Sequence, residues 1–387
     1  MEKKRILHIM SSFGGGISSF IYNLSLAAEN ENLIFDVVTY DSVPDFFREQ
    51  IESTGGEVGY LLNPKREGWR KFQQSFVGAI EGKEYHAVYC HISGYRSLAY
   101  YYLVREYLNH LKKHFYIHAH YQYQSEVSPF YKGVEQKVSR MVNRKCSSQA
   151  VGCSRVAIQS LYGLKKHEPF VVIPNSIDHE PFLNSGRNKE MIQNKWQEQF
   201  GERYCFVGHI GRLEAVKNHR FSFELVQKSV ELGQPIHLFV IGSGRLENAL
   251  KEQVQKMGIA AFVTFLGRVS PIYDVLGALD AIVLPSFSEG FGTVTIESQA
   301  AGVPVLVSHA VTDEVDLGFG LVERLALEEG PSVWIQELFE LIKGNRTAVV
   351  SQEERRHVIE SKAFSNQAAC GLFRQMLDGK LNHYQLD

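Results

Sequence analysis

"SEGFGTVTIES", residues 288–298, lies between two apolar runs, "AIVLPS" (281–286) and "VPVLVS" (303–308). Each run has the length and β-branched content of a buried strand. "TVTIESQAA" reads as a helix, with Thr293 near its N-cap and Gly302 as its stop. The order is strand, turn, helix, strand, a βαβ unit. "SEGFG" is then the turn at the carboxyl end of a parallel strand, where open α/β sheets bind ligands. Glu289 lies in that turn and Glu297 about one turn into the helix. Carboxylates accept from sugar and ribose hydroxyls, and a helix N-terminus suits an anion between them. A helix cap and a solvated helix face would account for two such residues as well, so the neighbouring sequence decides.

The same alternation runs through the chain. Before the quoted stretch come "YCFVGHIGRL", "IHLFVIGSG" and "FVTFLGRV", separated by helical patterns. An earlier series begins with "RILHIM", Gly14, Gly15 and Gly16, and "ISSFIYNLSLAA", whose Ile17, Phe20, Ile21, Leu24 and Ala28 share a helical face. "FDVVTY", "AVYCHIS", "FYIHAH", "QAVGCS" and "FVVIPNS" continue it. The polar, pattern-poor stretch 178–204 reads as the connection between the two series. The fold class is therefore α/β, two doubly wound Rossmann-like domains facing a cleft. "SVWIQELFELIKG" is a late amphipathic helix with Trp334, Ile335, Leu338, Leu341 and Ile342 on one face and Gly344 as its stop.

The bulk numbers agree with two soluble domains. The chain has 387 residues, 44% hydrophobic and 22% charged. Its 41 Lys and Arg nearly balance 43 Asp and Glu, which argues against a nucleic-acid binder. Five scattered cysteines without a Cys-x-x-Cys pair point to a reducing interior rather than to disulfides or zinc. The basic start and its short apolar run, interrupted by His8, read as a first strand rather than an export signal. No 18-residue apolar run suggests a membrane span.

"HIGRLEAVKNHRF", residues 209–221, adds two cations at another strand end. Arg212, with its planar fork, and Lys217, a point charge, can converge on one diphosphate; two unrelated surface cations are the plainer reading. A diphosphate flanked by polyhydroxy groups would use Arg212, Lys217, Glu289 and Glu297 together, and a nucleotide-sugar is such a ligand. "GSGRLENAL" lacks the third glycine of a dinucleotide fingerprint and reads at best as a second phosphate-adjacent turn.

"GRLEAVKN" followed by "LPSFSEGFGTVTIESQAAGVPVLVS" resembles the retaining glycosyltransferases of family 4, which have the GT-B fold. "VVIPNSID" is similar to the family's Asn-x-x-Asp segment, and the likeness is nearest to the bacterial exopolysaccharide and capsule branch. The resemblance implies an acceptor-side domain at 1–180, onto which a helix at 366–387 packs back, and a nucleotide-sugar donor domain at 181–365. It implies that Arg212 and Lys217 bind the leaving diphosphate, Glu289 the donor sugar and Glu297 the ribose. N–H groups of Phe291, Gly292 and Thr293 would cradle phosphate or sugar, and backbone near Arg268 and Val269 would meet the base. Gly15 and Gly16 match the family's glycine loop, where a Glu often follows; here Ser18 and Ser19 stand instead. In "YIHAHYQ" one histidine would face the donor sugar. His118 and His120 share a strand face; His120, nearer the strand end, is preferred, and His118 suits a hydrogen-bonded core position better.

The implied reaction is transfer of a sugar, with retention, from a nucleotide-diphosphate sugar, expected to be a UDP-sugar. The acceptor would be a sugar or lipid-linked saccharide in surface polysaccharide synthesis. No cofactor or metal is expected, because no Asp-x-Asp or metal-spaced cluster is present. The alternatives are a nucleotide-sugar epimerase, a phosphorylase, or a non-catalytic sugar- or nucleotide-binding partner. Lys65, Arg66, Arg70 and Lys71 surround Trp69 in an expected loop, which suits an anionic membrane surface or lipid-diphosphate acceptor as well as plain solvent. The aromatics of "SLAYYYLVREYLNHLKKHF" fit a buried helix face. The expected location is cytoplasmic, peripheral at the membrane face.

Overall fold

The computed structural model describes residues 2–111, 113–122, 129–165, 167–201, 204–344 and 350–384, with 129–132 as backbone alone. The chain divides into two compact units, Met1–Ser176 with Lys362–Asp387, and Ile177–Ser361. The sequence boundaries of 180 and 365 thus move by about four residues at each crossing.

In the first unit, the described residues form a parallel sheet of β1 (Lys4–Ile9), β2 (Leu33–Thr39), β3 (Val58–Tyr60), β4 (Ala87–Cys90), β5 (Phe115–Ala119), β6 (Val151–Gly152) and β7 (Val171–Val172). Their spatial order is β3-β2-β1-β4-β5-β6-β7. The second unit's sheet holds β8 (Cys205–Ile210), β9 (Ile236–Ile241), β10 (Val263–Gly267), β11 (Ala281–Leu284), β12 (Val305–Ser308) and β13 (Val322–Leu325). Its order is β10-β9-β8-β11-β12-β13, also parallel. In both sheets the chain winds outward one way and then the other, so β1 and β8 stand at the switch points that bind ligands in such folds.

Apolar runs explain the central strands. β4, β9, β11 and β12 are buried at every residue. Trp334, Ile335, Leu338 and Leu341 on the helix Gly330–Ile342 fill the second core, and the Trp334 indole N–H donates to the Ala326 carbonyl at 2.8 Å. Stretch 178–204 is corrected. It folds as the helices His179–Asn184 and Lys189–Phe200 and belongs to the second unit. Trp196 packs tilted on Phe239 at 4.6 Å and Phe200 lies against His237 at 3.9 Å, which gives this polar helix its seat. Glu202 and Arg203 lie outside the described residues.

The C-terminal helix is Asn366–Leu377, shorter than 366–387, and 385–387 lie outside the described residues. It returns to the first unit because Cys370, Phe373, Met376 and Leu377 complete the core around Phe35 and Tyr89. Lys4 pairs with Asp378 at 2.6 Å beside it.

Candidate active site

At the second unit's switch point three loops lock onto one another. Leu213 N–H donates to the Ser243 carbonyl at 3.0 Å and Leu246 N–H to the Leu213 carbonyl at 3.1 Å, joining the loops after β8 and β9. Gly242, at φ 141°, is there by necessity: a Cβ would stand 1.9 Å from the Gly211 carbonyl oxygen. "GSG" is therefore a packing turn against the β8 loop. Phe287 N–H donates to the Val216 carbonyl at 2.8 Å, and Asn218 Nδ2 to the Pro285 carbonyl at 3.0 Å, which ties in the loop after β11.

On this frame Lys217 Nζ meets Glu289 Oε1 at 2.5 Å, and the Ser286 hydroxyl donates to the same oxygen at 2.7 Å. The side chains are only 18% and 11% exposed, so this pair is shielded from the solvent that weakens surface ion pairs. Arg212 does otherwise. Its side chain is 54% exposed and its guanidinium pairs with Glu214 at 3.1 Å. Like charges repel, and each cation takes the carboxylate within reach of its own loop. The two stand at one end of one sheet without converging.

The helix after this turn is Thr293–Ala301, with Gly292 at φ 93° as its N-cap and Thr293 beside it as the first helical residue. A Cβ on Gly292 would sit 2.9 Å from Val311 Cγ1, so glycine is required by conformation and by space. Phe291 is buried, and it and Thr293 have other partners within the fold. Thr295 Oγ1, one turn in, is buried without a hydrogen-bond partner among the described residues. Glu297 is half-buried, and desolvation pushes its carboxyl up to about 7. Arg268 is exposed, its Nε donating to Ser243 Oγ at 2.9 Å, and Val269 beside it is half-buried.

The first unit's switch point is built differently. Gly14 (φ 110°) and Gly15 (φ 78°) turn the chain into the helix Gly16–Ser25. Ser18 Oγ accepts from Gly14 N–H at 3.0 Å and donates to the Gly15 carbonyl at 3.1 Å, and Ser19 donates to the same carbonyl at 3.3 Å. Ser18 and Ser19 thus fasten the glycine turn.

Beside it four imidazoles gather at the carboxyl ends of β1, β4 and β5: His8, His91, His118 and His120, all buried. Burial keeps each well below the ordinary imidazole range, and so uncharged. His118 and His120 share a face, with ring centroids 4.2 Å apart. His118 is corrected: it is a core histidine, but neither ring nitrogen has a hydrogen-bond partner among the described residues. His120 Nε2 instead meets His91 Nδ1 at 2.6 Å. His8 and His91 escape a reading of sequence spacing because β4 lies beside both β1 and β5 only in the folded sheet.

The expected basic loop is helical. Asn63 caps the short helix Pro64–Glu67, and after Gly68 at φ 84° the helix Trp69–Ile80 begins. Lys65, Arg66, Arg70 and Lys71 are exposed, with Lys71 paired to Glu67. Trp69 is 43% exposed and rests near Phe72 and Tyr102. On the helix Ser97–Tyr107, Tyr100 is buried as expected, but Tyr102 and Tyr107 are exposed. Among the described residues no helix is long and apolar enough to cross a membrane, and no group of three His, Cys, Asp or Glu is placed to hold a metal ion.

Residues 190–313 match the family described as glycosyl transferases group 1. Over 369 residues the chain is 28% identical to the putative glycosyltransferase EpsF of Bacillus subtilis (strain 168), covering 94% of this chain and 92% of that one. Over 144 residues it is 35% identical to the UDP-Gal:alpha-D-GlcNAc-diphosphoundecaprenol alpha-1,3-galactosyltransferase of Escherichia coli, 36% of each chain. Anabaena HepE, solved in complex with UDP-glucose, has a TM-score of 0.72 at 16% identity over 97% of this chain and 99% of that one. WaaG, a glycosyltransferase involved in lipopolysaccharide biosynthesis, has a TM-score of 0.67 at 15% identity over 97% and 100%. The last two are likenesses of fold.

Proposed function

We propose that this chain is a glycosyltransferase that transfers a sugar, with retention and without a metal, from a UDP-sugar to a saccharide or lipid-linked saccharide acceptor, a reading supported by the group 1 match over residues 190–313 and by the likeness to EpsF along the chain. The observation that carries the donor reading is the shielded Lys217–Glu289 pair, held at a switch point by three interlocked loops. A bound donor gives each partner a better use. The ammonium turns to the diphosphate, whose charge grows as the sugar–phosphate bond breaks, and the carboxylate accepts from sugar hydroxyls. A preorganised cation facing developing charge is the largest effect such a site can supply. Arg212, itself exposed and free to swing from Glu214, joins Lys217 on the phosphates. Glu297 accepts from the ribose, and backbone at Arg268 and Val269 meets the base. Phe291, Gly292 and Thr293 line the helix start.

The first unit contributes Gly15, Gly16 and His120, as the family resemblance implies. UDP as the carrier is supported by the UDP-glucose complex of Anabaena HepE and by the UDP-Gal donor named for the Escherichia coli relative. That relative's diphosphoundecaprenol-linked acceptor supports a lipid-linked acceptor here, in bacterial surface polysaccharide synthesis at the cytoplasmic membrane face. Exposed Trp69 and Tyr102 with Lys65, Arg66 and Arg70 suit an anionic lipid surface. The test is turnover of UDP-, GDP- and ADP-sugars with and without lipid-linked acceptors. UDP release that requires acceptor is the expected result. Epimerised sugar without acceptor, phosphate-dependent turnover, or no turnover of any nucleotide-sugar would overturn the reading.

A further inference from the structure

His91 stands between two other rings. Its Nε2 lies 3.1 Å from His8 Nδ1, and its Nδ1 lies 2.6 Å from His120 Nε2. All three rings are buried and uncharged. A neutral imidazole carries one N–H and one lone pair, and each contact needs one of each. Only two arrangements satisfy both contacts. In the first, His8 Nδ1–H donates to His91 Nε2, His91 Nδ1–H donates to His120 Nε2, and His120 keeps its hydrogen on Nδ1. In the second, all three hydrogens sit on Nε2 and both bonds point the other way. Any mixed pattern sets two N–H groups or two lone pairs against each other.

The ends of the chain choose between them. His8 Nε2 and His120 Nδ1 are both buried without a hydrogen-bond partner among the described residues. One end must therefore hold an N–H and the other a lone pair. A buried orphan N–H is the rarer defect. His8 is wholly enclosed, its ring packed by Phe35 at 4.8 Å, Tyr89 at 5.8 Å and Phe373 at 6.0 Å. His120 lies just past the end of β5 and keeps 8% exposure, so it is the less enclosed end. The first arrangement puts the N–H there. His118 stacks on His120 but makes no hydrogen bond among the described residues, so it stands outside the chain.

We propose that His91 is a positioning residue that, together with His8, holds His120 as the tautomer with its hydrogen on Nδ1, so that His120 meets its ligand as a hydrogen-bond donor. That the ligand is the donor sugar rests on the transferase reading above; the tautomer does not. The ring is held twice over, by hydrogen bonding along the chain and by Phe20 edge-on at 5.2 Å. The group presented is then a fixed N–H, suited to a hydroxyl oxygen and unsuited to a cation.

Two substitutions separate positioning from mere packing. A side-chain amide reaches about where Nδ1 stands in His91→Asn and about where Nε2 stands in His91→Gln. Asn therefore keeps an amide NH2 able to donate to His120, whereas Gln keeps only the contact to His8. Two-bond nitrogen–proton spectra of histidine-labelled protein near pH 7 report each tautomer directly. The expected result is Nδ1–H on His120 in the wild type and in His91→Asn, and a mixture in His91→Gln. With a nucleotide-sugar that the wild type turns over, His91→Gln should lower kcat about five- to tenfold with the donor KM little changed, and His91→Asn should restore most of it. An Nε2–H tautomer on His120 in the wild type would overturn the proposal, and so would spectra or rates that are alike in the two variants. The wild-type spectrum decides the tautomer even if a variant fails to fold. A wild type that turns over no nucleotide-sugar would sink the transferase reading and leave the spectra to judge His91.

Discussion

The switch-point strands of the two units end on the same pair of residues and use it differently. β1 ends on His8-Ile9 and β8 on His209-Ile210. Both histidines are wholly buried and stacked on a second imidazole, His8 on His91 and His209 on His219, with rings nearly parallel in each pair. In the first unit the hydrogen bond from His8 leads through His91 to His120. In the second, His209 Nδ1 meets Ser222 Oγ at 2.8 Å and the path stops. Beyond the strand ends the contrast widens. The first unit offers a glycine turn fastened by Ser18 and Ser19, with neutral imidazoles beside it. The second offers Lys217, Glu289, Arg212 and Glu214 on loops pinned to one another. Neutral directional groups read hydroxyls, whereas charges held in place take phosphates. The same winding places both ends where such folds bind ligands; the side chains decide which ligand part each would suit.

Glycine is where the contrast is easiest to break. Gly242→Ala puts a Cβ 1.9 Å from the Gly211 carbonyl oxygen at a φ that L residues rarely adopt. It should cost about 3–5 kcal/mol, and thermal unfolding should show the loss. A melt within about 1 kcal/mol of the wild type would mean that the loops are not interlocked as described.

Next in size is Lys217→Ala, expected to lower transfer by on the order of 10²–10³. Rates near wild type would move the leaving-group role to Arg212.

The third expected effect is pH-dependent. Glu297 has its carboxyl raised to about 7 by desolvation, from an ordinary 4.5. An acid raised in the fold favours its protonated form there, so its contribution to stability is fully present below pH about 4.5 and fades as pH rises through about 7. Glu297→Gln should therefore gain in Tm over the wild type between pH 5 and pH 8. A difference that stays flat across that range would contradict the desolvated carboxyl.

Gly16→Ala should do least, within about 1 kcal/mol. Its Cβ would meet only Asn175 Nδ2, at an ordinary 3.5 Å. A large loss there would show the first unit's turn to be as tightly built as the second's.

Sequence pattern shows most of the fold, and the exceptions share a cause. Strands buried on both faces, such as "IHLFVI", are continuous apolar runs that no exposed element imitates. The edge strands β3 and β13 are not legible, because "VGY" and "VERL" are short and half-exposed. The helix Lys189–Phe200 buries no residue completely, so its one-sided seating on Phe239 and His237 leaves little periodicity. Among the candidate site residues, Glu289 and Lys217 carry their chemistry in their local motifs, but their contact spans 72 positions and exists only once β8 and β11 are neighbours. The histidine chain was out of reach for the same reason. His8, His91 and His120 lie near the ends of three strands whose lateral order no single stretch reveals.

The central claim is that the second unit's paired Lys217 and Glu289 form a nucleotide-diphosphate site. Thermal unfolding with UDP, GDP, ADP and their sugars, in wild type and Lys217→Ala, tests it most directly. A ligand at about 100 times its Kd adds about 2.7 kcal/mol, a shift of several degrees for a chain of this size. The account predicts such a shift with UDP or a UDP-sugar, lost or much reduced in Lys217→Ala. No shift with any nucleotide, or an equal shift in both proteins, would contradict it.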